Sequence, residues 1–252
     1  MSTNYNIIEK AAAEFREKYG YNSFTPIRIK SLLMSLEVLA VFRKMEGSFS
    51  GMAVRFENQN FMLINSAHSI GRQHFTILHE IYHLFVQKDF DQIICKEEIN
   101  PKEKKDENNA NYFASNILLP KDGLLNLIPE NELKKDKISI NTILKIENYF
   151  SCSHSALMVR LKQLDFISDK FIKDIKTDIK ILAMQYGYET KLYEPGNDNL
   201  VIGDYGVKAK KLFDNNIISR THYIELMREL GLDVENNNSE SNWLIKKGNQ
   251  RS

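Results

Sequence analysis

The stretch His79-Glu80-Ile81-Tyr82-His83 lies inside the apolar run Phe75, Ile77, Leu78, Ile81, Leu84 and Phe85, whose spacing is that of a buried helix. On such a helix the side chains at i and i+4 stack on one face, so His79 and His83 can converge on one ion. Glu80 follows the first of them directly. Two imidazoles, a third ligand and water around Zn²⁺, with a neighbouring glutamate to take the water's proton, form a site for metal-assisted hydrolysis. The competing reading is a hydrogen-bonded histidine pair in a core, and a third ligand with suitable flanks is what separates the two.

A carboxylate one segment further on meets that requirement. From Glu107 the sequence Glu107-Asn108-Asn109-Ala110-Asn111-Tyr112-Phe113-Ala114 runs through Ile117 and Leu118 to Pro120 with the pattern of a second helix. Asn111 sits one turn after Glu107, where its amide can bond a ligand imidazole and fix its tautomer. Glu97, Glu98 and Glu103 compete for the ligand role. They fall in the charged segment 96–106, which contains Pro101 and reads as a solvated loop, and a rigid helix holds metal geometry better than a loop. Cys95 is read as a buried thiol and not a ligand.

These two segments together resemble the ImmA/IrrE family of metallo-endopeptidases. The family carries an RxxFTxxHExxH helix followed by an ExxANxFAxxLLxP helix, matched here by Arg72 to His83 and by Glu107 to Pro120. The resemblance implies a zinc-dependent, gluzincin-like endopeptidase with one Zn²⁺ on His79, His83 and Glu107 and with Glu80 as general base. It also implies a cytoplasmic protein substrate, a helix-turn-helix repressor of a phage or mobile element whose cleavage derepresses genes. Two positions depart from the family pattern: Tyr82 replaces a common glycine and Asn109 replaces a common acidic residue. His74 and Tyr112, each beside a motif residue, are candidate oxyanion donors. The rival function is a non-catalytic metal-binding regulator that binds a protein partner or DNA.

The rest of the chain predicts a mainly helical α+β fold. An amphipathic helix over 5–19 ends at Gly20, and Thr25-Pro26 opens a short second helix. Alternating segments at 38–42, 51–56 and 60–64 read as a small antiparallel three-stranded sheet packed on the zinc-site helix pair. After Pro120, helices over 139–149 and 155–164 flank Ser151-Cys152-Ser153 and resemble a helix-turn-helix. The second of them offers only Arg160 and Lys162 to phosphates, so helix packing or substrate docking is favoured over DNA. A long helix over 168–186 and two more around 207–213 and 222–230 follow.

The expected organisation is a metallopeptidase domain (1–128), a helix-turn-helix-like segment (129–168), a C-terminal helical region (169–235) and a polar tail (236–252) in which Trp243-Leu244-Ile245 is a docking candidate. A formal net charge of +1 over 252 residues gives no whole-molecule argument for nucleic acid or membrane. Two distant cysteines point away from a disulfide framework and towards a reducing cytoplasm, and no stretch is apolar enough to span a bilayer.

Overall fold

The computed structural model describes residues 2–57, 59–87, 101–175 and 178–230. Helices α1 (Ser2–Lys18) and α2 (Ile29–Ser35) lead into strands β1 (Val38–Arg43), β2 (Gly51–Phe56) and β3 (Gln59–Asn65). Helices α3 (Ile70–Phe85) and α4 (Pro101–Leu118) come next, then α5 (Lys121–Leu127), α6 (Ile140–Phe150) and α7 (His154–Gln163). Helices α8 (Asp169–Asp174) and α9 (Ile179–Gln185), strand β4 (Val201–Ile202), and helices α10 (Tyr205–Asp214) and α11 (Arg220–Glu229) complete the order. Among the described residues no helix is long and apolar enough to cross a membrane.

The sheet corrects the sequence expectation. Among the described residues it has four strands in the order β2-β3-β1-β4 and is mixed, not three-stranded and antiparallel. Only β2 and β3 form a hairpin, closed by Glu57 in the left-handed region at φ 51°. The segment after β1 carries the chain past the neighbouring position, so β1 pairs with β3 in parallel, Val38 opposite Asn60 through Arg43 opposite Asn65. Strand β4 then adds to the free side of β1, with Ala40 opposite Ile202 and Val41 opposite Val201. In β1, Val38, Ala40 and Phe42 are buried while Leu39, Val41 and Arg43 are half-buried, which is the period of two that a sheet with one core face requires.

Three helical boundaries also move. Helix α4 begins at Pro101 and not at Glu107, because proline at a first helical position lacks only an N–H that would be unpaired there anyway. The predicted helix over 168–186 is two helices, α8 and α9. Asp178 is the reason for the second start: its carboxylate accepts from the Lys180 N–H as an N-cap. Thr25 does not open α2, which starts at Ile29. The Asn22 side chain instead accepts from the N–H of Phe24 and Thr25 in a tight turn. Cys95, Glu97, Glu98 and Trp243-Leu244-Ile245 lie outside the described residues.

Helix α3 packs between the sheet and α4, and its buried side chains surround most of its circumference. Helix α4 is held at its carboxyl end by two buried arginines. Arg16 of α1 donates to the Ile117 carbonyl and to the carbonyls of Asn22 and Thr25. Arg160 of α7 donates from Nε to the Leu119 carbonyl at 3.0 Å and from Nη2 to Asn116 Oδ1 at 2.7 Å, and it also bonds Tyr112. The last carbonyls of a helix have no partner within it and carry the negative end of its dipole, so a guanidinium there replaces water. Burial lowers Arg16 to about 10, which leaves it charged at neutral pH.

Helices α6 and α7 form as expected, each opened by a serine cap, Ser139 and Ser153, and the turn between them passes through Ser151 at φ 54°. That turn abuts the start of α3. A Cβ on Gly71 would lie 2.7 Å from the Ser153 nitrogen, so only glycine lets the two backbones approach this closely.

Candidate metal centre

The last turns of α3 and the middle of α4 bring three donors together. His79 and His83 stand one helical turn apart with their Nε2 atoms 3.1 Å from each other. Glu107 Oε2 lies 3.1 Å from His79 Nε2, and its Oε1 lies 3.5 Å from His83 Nε2. One ligand atom from each of the three residues falls within 4.8 Å of the others. His83 is almost fully buried, whereas the Glu107 side chain is 39% exposed, so the cluster has a dry inner side and an open outer one.

The ring tautomers test whether a cation fits. His79 Nδ1 faces Asn111 Oδ1 at 3.0 Å, and His83 Nδ1 faces Gln87 Oε1 at 2.5 Å. With the amide oxygens turned to the rings, as here, both neutral rings carry the proton on Nδ1 and both Nε2 lone pairs aim at the same point. Two lone pairs 3.1 Å apart beside a carboxylate repel one another unless a positive charge sits among them. Two imidazoles and one carboxylate are a donor set for Zn²⁺ or a similar divalent transition metal.

The charges of the cluster respond accordingly. When the rings take up a second proton, on Nε2, His79 and His83 donate to Glu107, and these hydrogen bonds hold its carboxyl far below the ordinary carboxylate range. Burial works against a charged His83, but its bonds to Glu107 and Gln87 outweigh this and raise it. Glu80 is buried, and desolvation raises its carboxyl against the pull of His79 and His83.

These shifts predict how the metal-free protein behaves. The stabilisation from Glu107 is present above its ordinary 4.5 and lost only as pH falls through the depressed value. That from His83 is complete below its ordinary 6.5 and lost as pH rises through the raised value. The chelator-stripped protein is therefore expected to lose thermal stability as pH rises above 6.5 and through the raised His83 value, and the metal-loaded protein is not. Melting temperatures with and without chelator across that range check this.

The structure does not bring His74 and Tyr112 to the cluster. His74, whose ring burial lowers its basicity, donates from Nδ1 to the Ser151 carbonyl at 2.8 Å. Tyr112 packs against Tyr5 with the rings tilted by 49° and their centroids 4.5 Å apart, and its side chain bonds Arg160. Glu103 falls in the first turn of α4. The two departures from the family pattern meet each other: Tyr82 and Asn109 share a side-chain hydrogen bond across the α3–α4 seam. The Tyr82 ring packs 5.5 Å from that of Phe113 and stays buried, so it fills the seam.

Sequence reasoning missed Gln73 and Gln87. Gln73 Nε2 donates to the His68 carbonyl at 2.7 Å and to the Gly196 carbonyl at 3.0 Å, and Asn197 donates to Gln73 Oε1 at 3.0 Å, which ties the loop before β4 to the first turn of α3. Gln87 lies beyond the helix end, though its spacing of four from His83 repeats that of Asn111 from Glu107 and was a readable signal. In α7, Arg160 is buried and Lys162 pairs with Asp169 at 2.6 Å, so neither of the cations weighed for DNA stands free.

No curated protein matches the chain. The model of the IrrE N-terminal-like domain matches residues 36–162, half of the chain, a span that holds the sheet's first three strands, the histidine helix and the whole of α4. With three converging donors inside that span, the chain belongs to the IrrE N-terminal-like (ImmA/IrrE) family of metallopeptidases.

Proposed function

We propose that this protein is a zinc-dependent endopeptidase of the gluzincin type, with His79, His83 and Glu107 holding one Zn²⁺ and Glu80 as general base. The observation that carries this reading is the convergence of both Nε2 atoms and the Glu107 carboxylate from two separate helices. When bound, zinc supplies Lewis acidity, which acidifies water and polarises a peptide carbonyl.

The chain's own groups do the rest. Asn111 and Gln87 keep both rings in the Nδ1–H form. Glu80, desolvated against the core, takes the proton of the attacking water and passes it to the leaving amide nitrogen. Strand β2 is an edge of the sheet packed beside α3, which supports extended peptide binding by backbone pairing next to the centre. The substrate we infer from the family resemblance is a cytoplasmic helix-turn-helix repressor of a phage or mobile element.

The test is purified protein with one equivalent of zinc, incubated with repressors encoded beside its gene and read by the appearance of fragments. Cleavage is expected. A gel shift on DNA without cleavage supports a non-catalytic regulator instead. Metal content is expected near one zinc per chain, falling to background in Glu107→Ala and His79→Ala by elemental analysis. Full zinc content in Glu107→Ala would move the third ligand elsewhere.

A further inference from the structure

The two histidines are not held in the same way. Asn111 reaches His79 from α4, one turn after Glu107. His83 is served from its own chain just past the helix end, where the N–H groups of both Val86 and Gln87 donate to the Tyr82 carbonyl at 2.9 Å. That shared acceptor turns the chain back, so the Gln87 side chain folds over His83 and its Oε1 meets Nδ1 at 2.5 Å.

An amide can present either end to a ring nitrogen, and the two orientations impose opposite tautomers. At Gln87 a third group breaks this symmetry. Its Nε2 donates to Asp106 Oδ2 at 3.3 Å, and a carboxylate accepts but does not donate. With the NH₂ end engaged by Asp106, only the oxygen is left for His83. The His83 proton is thereby fixed on Nδ1, and its Nε2 lone pair is left for a cation. Asp106 immediately precedes Glu107 on α4, so the same turn that provides a ligand also sets the far side of the opposite ring.

We propose that Gln87 and Asp106 are positioning residues for the metal centre. In the chain Asp106···Gln87···His83, Asp106 orients the Gln87 amide and Gln87 selects the metal-binding tautomer of His83. The proposal rests on the metallopeptidase reading of the site, and its first readout needs neither metal nor substrate.

In metal-free protein labelled with ¹⁵N-histidine, at a pH where the rings are neutral, long-range ¹H–¹⁵N correlations are expected to show His83 protonated on Nδ1. Gln87→Ala is expected to give a mixture of tautomers and to weaken zinc binding about 10–100-fold, measured by competition with a chromophoric chelator. Asp106→Ala shifts both readouts in the same direction by less, and Asp106→Asn, which retains an acceptor oxygen, restores them. Because Asp106 acts through Gln87, adding Asp106→Ala to Gln87→Ala causes no further loss.

The proposal is overturned if Gln87→Ala keeps the parental tautomer and a zinc affinity within about twofold of the parent, or if the two losses add in full. A parent that binds no zinc would sink the functional reading alone, since the tautomer measurement still decides this one.

Discussion

Under the proposed mechanism Glu80→Gln is expected to bind zinc as the parent does and to cleave its substrate about 10²- to 10⁴-fold more slowly. The amide matches the carboxylate in size and leaves His79, His83 and Glu107 in place, but it cannot take a proton from water. The pH profile gives a second handle. Desolvation raises the Glu80 carboxyl above its ordinary 4.5, against the opposing pull of His79 and His83. A general base must be ionised, so parental kcat/KM is expected to fall at the acid pH where the Glu80 carboxyl takes up a proton, a limb that the residual activity of Glu80→Gln lacks. A variant that cuts at the parental rate would remove Glu80 from the chemistry.

The second large effect concerns folding. Arg160→Met fills similar volume yet strands the buried Leu119 carbonyl and Asn116 Oδ1 and takes the partner from the half-buried Tyr112 side chain. At about 1 kcal/mol or more for each unsatisfied group, the expected loss is about 3 kcal/mol or more. For a chain of this size that lowers Tm by roughly 10 °C. Arg160→Lys does not rescue it, because one ammonium cannot span acceptors arranged for a planar fork. Thermal unfolding of the zinc-loaded proteins measures both, and a change below about 1 °C would mean that water replaces the guanidinium at no cost.

What could be read from the residues alone follows from how local each signal is. The histidine helix announced itself because a pattern of period 3.6 and its motif coincide within a dozen residues. The residue pattern shows helix α4 but puts its start six residues late, since Pro101 equally marks a break and a first turn, and only packing decides between them. The sheet order is hidden for a different reason: β1 pairs with β3 and β4, neither of them its neighbour along the chain, and β4 has two residues, too few to show alternation. Convergence of His79, His83 and Glu107 was predictable from motif order. The Gln87–Asp106 link was not, because its members come from the end of one helix and the front of another, and neither belongs to the motif.

Strand β4 lies beyond residue 162, outside the family match, yet it covers the flank of β1. A fragment cut to the matched residues would bare the β1 amides and carbonyls along that flank, and such a row is a template on which a second chain can add. Two residues near position 200 thus cover part of an edge that a fragment ending at residue 162 would leave open, and such a fragment is expected to self-associate more readily than the full chain.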